Sequence, residues 1–339
     1  MTATVASAPG KIVLCGEYAV LDGAPAICMA INRRARAKVG TVDTDYHTVR
    51  TSGYIDGEWR FRTDRNGNFE WIGSEPPAGG LDLLQQVWKT TGINGRFDVT
   101  LDTGEFLDPV SHSKLGLGSS AALTAALVTA LFDVTSNPGD AGIQAVKAHR
   151  LFQQGRGSGV DIAASLNGGV IEYRMQESGV GRSLPWPAGL EYAVLWSGRP
   201  VSTSEKLRKL DEGCRNSSSG ASMACLIDAS EATAKTWAAG STAELLAEFH
   251  RYVDVLKQFD VDHDLGIFDA GHRELADAAA QRNVVYKPCG AGGGDTGIVF
   301  ATDRQAIADF TDLAGEGGFR LLDVSLEARG VLFENRAIH

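Results

Sequence analysis

The sequence predicts an α+β fold, in which runs of strands and runs of helices follow one another rather than alternating strictly. Three observations carry that expectation. Over residues 33–72 apolar and polar residues alternate between turn glycines (Gly53, Gly57, Gly67), as in a meander of strands. Residues 220–238, 241–258 and 266–281 place apolar side chains at helical spacing. Between these regions, Leu115-Gly116-Leu117-Gly118-Ser119-Ser120-Ala121-Ala122 reads as a glycine loop running straight into an alanine-rich helix.

In chain order, residues 4–31 read as short strands around a turn, with Ile12-Val13-Leu14-Cys15 the clearest apolar run. After the meander, 81–89 reads as a helix, 97–101 as a strand and 121–134 as a helix rich in alanine and leucine. Asn137-Pro138-Gly139-Asp140 breaks the chain and caps a helix over 141–154. A glycine-rich bend at 155–159 precedes strands at 168–174 and 191–196. Pro185-Trp186-Pro187 lies between those strands and marks the domain junction, giving domains 1–187 and 188–339. Beyond the three helices, strands at 284–287 and 296–301 flank the glycines of 290–294. Residues 304–314 read as helix and the last twenty as strand.

Composition narrows the function classes. The chain has 339 residues, long enough for two domains, and is 43% hydrophobic and 22% charged. A formal net charge of −10 argues against nucleic acid and against anionic membranes as partners. No apolar stretch reaches the ~18 residues of a membrane span. Residues 1–8 carry neither a basic nor an apolar leader segment. The five cysteines form no C-x-x-C pair and are odd in number, which fits a reducing, cytoplasmic location without a disulfide framework.

Four segments carry the chemistry. In the central loop, Gly116 and Gly118 allow a sharp turn and close backbone approach. The helix that follows offers unpaired N–H groups and the positive end of its dipole to a phosphate. Two hydroxyls follow, one of them spare for a metal ion, and Lys114 stands just before; no Walker A spacing is present. Read alone, the same loop is a tight turn with a serine cap. The second segment is Ala8-Pro9-Gly10-Lys11 with Gly16-Glu17-Tyr18; a lysine opening an apolar strand either reaches solvent or is held by a partner. The third is Gly157-Ser158-Gly159-Val160-Asp161, where the aspartate is either a helix cap or a working carboxylate. The fourth runs from Lys287 through Cys289-Gly290-Ala291-Gly292-Gly293-Gly294-Asp295, with too many glycines for a hairpin turn and enough to wrap a ligand.

These four segments, in this order and over residues 8 to about 297, resemble the GHMP kinase family, whose members phosphorylate small molecules such as galactose, homoserine, mevalonate and phosphomevalonate. The resemblance implies a GHMP kinase-like two-domain fold: an N-terminal domain like ribosomal protein S5 domain 2 and a ferredoxin-like C-terminal domain. It implies Lys11 and Asp161 as catalytic residues and Ser120 as a ligand of Mg²⁺. It implies ATP phosphates on Lys114, Gly116, Leu117, Gly118, Ser119, Ser120 and Ala121. On the acceptor side it implies Glu17, Tyr18, Arg156, Ser158, Gly159, Ser202 and Ser204, with Gly290, Ala291 and Gly292.

The run Gly16 to Leu21, the aspartate segment, residues 196–204 and the fourth segment are similar to the branch that acts on phosphomevalonate. A doubly anionic acceptor requires cations, for which Lys114, Arg156, Arg199, Lys206 and Lys287 are candidates. Two positions depart from the family. Arg150 stands where mevalonate kinases carry a magnesium-binding glutamate, so a second metal ligand has to come from elsewhere or from ATP and water. Cys289 stands where the phosphomevalonate branch often has serine. The rival readings are a mevalonate kinase and, in a different class, a non-catalytic sensor of ATP and a metabolite. The expected partners are small molecules, ATP and phosphomevalonate, for a monomer or homodimer.

Overall fold

A computed structural model describes residues 3–64, 66–175, 180–201, 205–206, 208–210 and 217–334, apart from the side chains of 217–219. The expected α+β architecture is present as two antiparallel-rich sheets with helices packed against them. The first sheet is built on two long strands, β1 (Ala3–Cys15) and β2 (Ala26–Thr41). These are longer than the short strands expected over 4–31, and β1 runs straight through Pro9 and Gly10. Proline removes a ladder donor, and the pair absorbs that as a register shift between Pro9 and Gly10 rather than by ending the strand.

β2 is long enough to serve two neighbours on one edge. Its first residues, Ala26 to Met29, pair with β7 (Val170–Tyr173), which carries β8 (Arg182–Leu184). Its later residues, Arg36 to Thr41, pair with β6 (Phe97–Asp102). β3 (His47–Ser52) joins β6 in parallel, and β4 (Gly57–Thr63) and β5 (Phe69–Ile72) complete the expected meander.

Helices α1 (Asp82–Thr91), α2 (Ser119–Val134), α3 (Ala141–Phe152) and α4 (Val160–Asn167) belong to this part of the chain, α2 and α4 resting on β1 and β2. Ala121, Ala122, Ala125, Ala126 and Ala130 are all fully buried on α2. Such small side chains let the helix approach the sheet closely and seat its N-terminus against β1. Asp140 caps α3 by accepting from Ile143 N–H, as the break at 137–140 suggests.

The second sheet has the order β10 (Val285–Pro288), β11 (Thr296–Ala301), β9 (Glu191–Trp196), β12 (Arg320–Leu322). Around it lie α5 (Ser217–Ala239), α6 (Thr242–His263), α7 (His272–Ala280) and α8 (Arg304–Glu316). Ser241 and Glu244 form a reciprocal capping box that starts α6. Pro185-Trp186-Pro187 lies between β8 of the first sheet and β9 of the second; Trp186 packs on Tyr192 and Trp237.

Three expectations change. The helix expected from 266 begins at His272, because Asp260 accepts the N–H groups of Ile267 and Phe268 and holds 265–271 as a turn. The last twenty residues are not a continuous strand: among the described residues they hold β12 and, after an irregular stretch, the two-residue β13 (Leu332–Phe333), which returns to pair with β1. Residues 160–167 form a helix that the short sequence between two glycine bends did not reveal. No helix among the described residues is long and apolar enough to cross a membrane.

Candidate active site

The four segments read from the sequence meet at one place. Lys11, near the end of β1, is 9% exposed and directs its ammonium to Asp161, with Nζ to Oδ1 at 3.2 Å. Burial works to lower the Lys11 pKa. The Asp161 carboxylate outweighs it, by charge and by hydrogen bond, and holds the group above its ordinary value. Lys11 is therefore a fixed positive charge. Asp161 does not cap α4: Gly159, at φ +91°, occupies the cap position and Asp161 is the second residue of the helix, its side chain turned to Lys11.

The glycine loop lies against that pair. Lys11 N–H donates to the Leu117 carbonyl at 2.9 Å, which ties the loop to β1. Gly116 (φ +74°) and Gly118 (φ +81°) both adopt the left-handed conformation that favours glycine. Gly118 is also the cap residue of α2, and no side chain caps that helix. Its first-turn N–H groups thus remain open to an anion. Ser120 Oγ lies 3.1 Å from Nε2 of His149 on α3. His149 is 1% exposed, and burial lowers its pKa to about 4, so it is a neutral imidazole at neutral pH. The sequence reading did not single it out; its signal was a histidine on an otherwise apolar helix face.

Two cavities flank the loop. The first is lined by Lys11, Asp161, Gly116, Tyr18, Ser158 and Asp295, among others. Gly159, Gly290 and Ala291 also line it, as expected for the acceptor side; Gly292 does not, being packed on Ile267. The second is lined by Ser119, Ser120, Lys114, Tyr54, Leu81 and Phe152. Gly116 thus belongs to one cavity and Ser119 and Ser120 to the other. Leu117 and Ala121 are buried beneath the loop and touch neither. Lys114 places its ammonium 3.5 Å from the centre of the Tyr54 ring in the second cavity.

Several expected acceptor groups are engaged elsewhere. Glu17 borders the first cavity, but its carboxylate is 2% exposed. One oxygen pairs with Lys287 and the other accepts from Tyr252 Oη at 2.7 Å. Lys287, a candidate cation for the acceptor, is fully buried in that pair. Lys206 donates to the carbonyls of Leu265 and Gly266, the latter at 2.8 Å, and lines neither cavity. Tyr18 Oη donates to the Ala291 carbonyl at 2.6 Å, joining the second segment to the fourth. Arg150 donates from Nη2 to the Ser158 carbonyl at 3.0 Å, and Tyr173 Oη donates to the same oxygen at 2.9 Å, so the two brace the bend before Asp161. Arg156 and Arg199 do not line the first cavity. Ser202 and Ser204 lie outside the described residues.

Residues 83–169 match the GHMP kinases N-terminal domain, a stretch that includes the glycine loop and Asp161. The chain is 30% identical over 352 residues to a phosphomevalonate kinase from a Streptomyces species, covering 91% of this chain and 92% of that one. It is 26% identical over 332 residues to a mevalonate kinase from Thermococcus sibiricus, with 92% and 93% covered. Its fold matches that of Streptococcus pneumoniae phosphomevalonate kinase, solved in complex with phosphomevalonate and AMPPNP. That match has a TM-score of 0.74 at 18% identity and covers 96% of this chain and 100% of that one. Alignment at 30% identity with the Streptomyces relative over nearly the whole length places the chain in the GHMP kinase family of ATP-dependent small-molecule kinases.

Proposed function

We propose that this chain transfers the γ-phosphoryl group of ATP to phosphomevalonate, giving diphosphomevalonate and ADP. The observation that carries this reading is the glycine loop standing between two cavities, one of which holds the Lys11–Asp161 pair. The nucleotide base and ribose occupy the cavity of Tyr54 and Lys114, the triphosphate crosses the loop, and the acceptor enters beside Lys11. The near full-length identity to a phosphomevalonate kinase supports that acceptor. In this reading 1–187 is the ATP-binding domain and 188–339 the C-terminal domain, whose end returns to the first sheet through β13.

Each residue then has a task. First-turn N–H groups of α2 bind phosphate oxygens. Lys11 stabilises negative charge on the transferring group, whose passage needs positioning and electrostatics more than covalent help. Asp161 orients Lys11. An acceptor phosphate monoester has a second pKa of about 6 and so needs no general base.

The donor chemistry at the loop fits a magnesium ion held mainly by phosphate. Ser120 offers a hydroxyl oxygen, and the neutral His149 ring beside it can accept the hydroxyl's hydrogen bond, leaving the oxygen lone pairs for a hard cation. When bound, the ion offsets triphosphate charge.

A mevalonate kinase is the second reading, and one observation favours it. Lys11 is the sole cation lining the first cavity among the described residues, which suits an acceptor with a single negative charge. The deciding experiment is ADP release with Mg·ATP and either acceptor. Turnover on phosphomevalonate alone supports the proposal, and turnover on mevalonate alone replaces it. Binding of nucleotide without turnover on either acceptor points to a sensor.

A further inference from the structure

Asp295 is the one acidic residue of the fourth segment, and no reading so far gives it a task. It follows four glycines in five positions yet is itself held at φ +49°, a conformation that costs energy for a residue with a side chain. Its backbone is fixed from both sides: its N–H donates to the Arg199 carbonyl at 2.7 Å, and its carbonyl accepts from Ser197 N–H at 2.9 Å. The side chain is clamped as well, Oδ1 accepting from Val201 N–H at 3.2 Å. This places the carboxyl against the phosphate loop: a Cβ built on Gly116 would lie 2.5 Å from Asp295 Cγ and 2.8 Å from Oδ2. Asp295 lines the same cavity as Lys11 and Asp161.

A carboxylate fixed beside a loop that receives a triphosphate repels its ligand unless a proton neutralises it. The groups around it do not supply full compensation. Lys11 from β1 and Lys114 from the loop before α2 act on it from a distance, and Asp161 from α4, Glu17 from the turn after β1 and the Cys289 thiol after β10 border the same cavity. Burial raises the Asp295 carboxyl to about 6, opposed by the Val201 N–H and the two lysines, so little added negative charge is needed to protonate it near neutral pH.

We propose that nucleotide binding draws a proton onto the Asp295 carboxyl, which then faces the triphosphate as a neutral hydrogen-bond donor. The proton comes from solvent and returns to it when nucleotide leaves; no covalent bond is made or broken elsewhere. This rests on the phosphate-loop reading of the function.

The test is calorimetric titration of the wild-type protein with Mg·AMPPNP, under saturating Mg²⁺ so that the nucleotide's own protonation is constant. Repeating it at pH 7 in buffers of different ionisation enthalpy counts the protons. On the order of one proton taken up per site is expected, with affinity falling by up to about tenfold per pH unit from pH 7 to 8. Asp295→Asn keeps the acceptor for Val201 and is expected to bind without proton uptake, with affinity flat over that range. Wild-type binding with no net uptake overturns the inference while leaving the loop reading intact, as does undiminished uptake in Asp295→Asn. Absence of nucleotide binding overturns both. The wild-type count stands even if the variant does not fold.

Discussion

Lys11 lies in the space that Gly118 leaves open: a Cβ on Gly118 would stand 2.9 Å from Lys11 Cγ and 3.0 Å from Cε. The glycine that starts α2 and the lysine that ends near Asp161 therefore constrain each other. Gly118→Ala adds a left-handed residue, at a cost of about 1–2 kcal/mol, and displaces the lysine stem. The expected result is a loss of stability of that size in urea denaturation and a fall in kcat of roughly tenfold or more. A variant as active as wild type would mean that the set of the Lys11 chain does not matter to transfer.

The Lys11–Asp161 pair separates two possible roles for the carboxylate. If the acceptor is a phosphate, Lys11→Met removes charge stabilisation and lowers kcat by about 100-fold or more. Asp161→Asn then loses only orientation and costs less. ADP-release rates for both variants decide it. A loss for the aspartate variant much larger than for the lysine variant would identify Asp161 as a general base and favour a hydroxyl acceptor.

Behind the site, Glu17, Lys287 and Tyr252 form a buried network that joins the turn after β1 to β10 and α6. Lys287→Met strands the Glu17 charge, which costs about 3–5 kcal/mol. Combining it with Glu17→Gln removes the stranded charge and recovers a large part of that loss. Denaturant unfolding of the two single variants and the double variant measures the coupling; strictly additive losses would show that the pair does not act as a unit.

Two buried histidines away from the loop predict acid sensitivity. Burial lowers His47, stacked on Phe61 and Phe97, to about 4. Burial likewise lowers His272 to about 4; that ring lies 2.7 Å from Tyr286 Oη and 3.0 Å from the Gly294 carbonyl. Both rings are neutral in the folded chain, whereas in the unfolded chain they protonate near 6.5. Their contribution is complete above about pH 6.5 and is lost as pH falls towards 4, by up to about 3 kcal/mol each. The melting temperature is expected to hold steady between pH 7 and 8 and to drop below 6.5, and His47→Phe should reduce the drop. An unchanged acid profile in that variant would remove His47 from the account.

Much of this protein was legible in its sequence because the signals are local. The glycine loop entering an alanine-rich helix, the strands at 191–196 and 296–301 and the helix starts at Ala141 and Arg304 follow from backbone preference and apolar spacing. The segments carrying Lys11, Ser120 and Asp161 each have an ordinary reading when taken singly; their order along the chain and the family resemblance marked them out. Partnership was not readable. Glu17 and Lys287 looked like acceptor groups, yet they pair with each other across 270 positions of chain. Gly116 had to be glycine for a turn, and the fold adds a second reason in Asp295. His149 gained its place beside Ser120 only because α3 packs on α2. The sequence by itself determined which segments turn, coil and carry charge, since these depend on each residue and its near neighbours. Tertiary structure decided which charges face a cavity and which neutralise one another, because electrostatic interaction and desolvation depend on distance in space rather than along the chain.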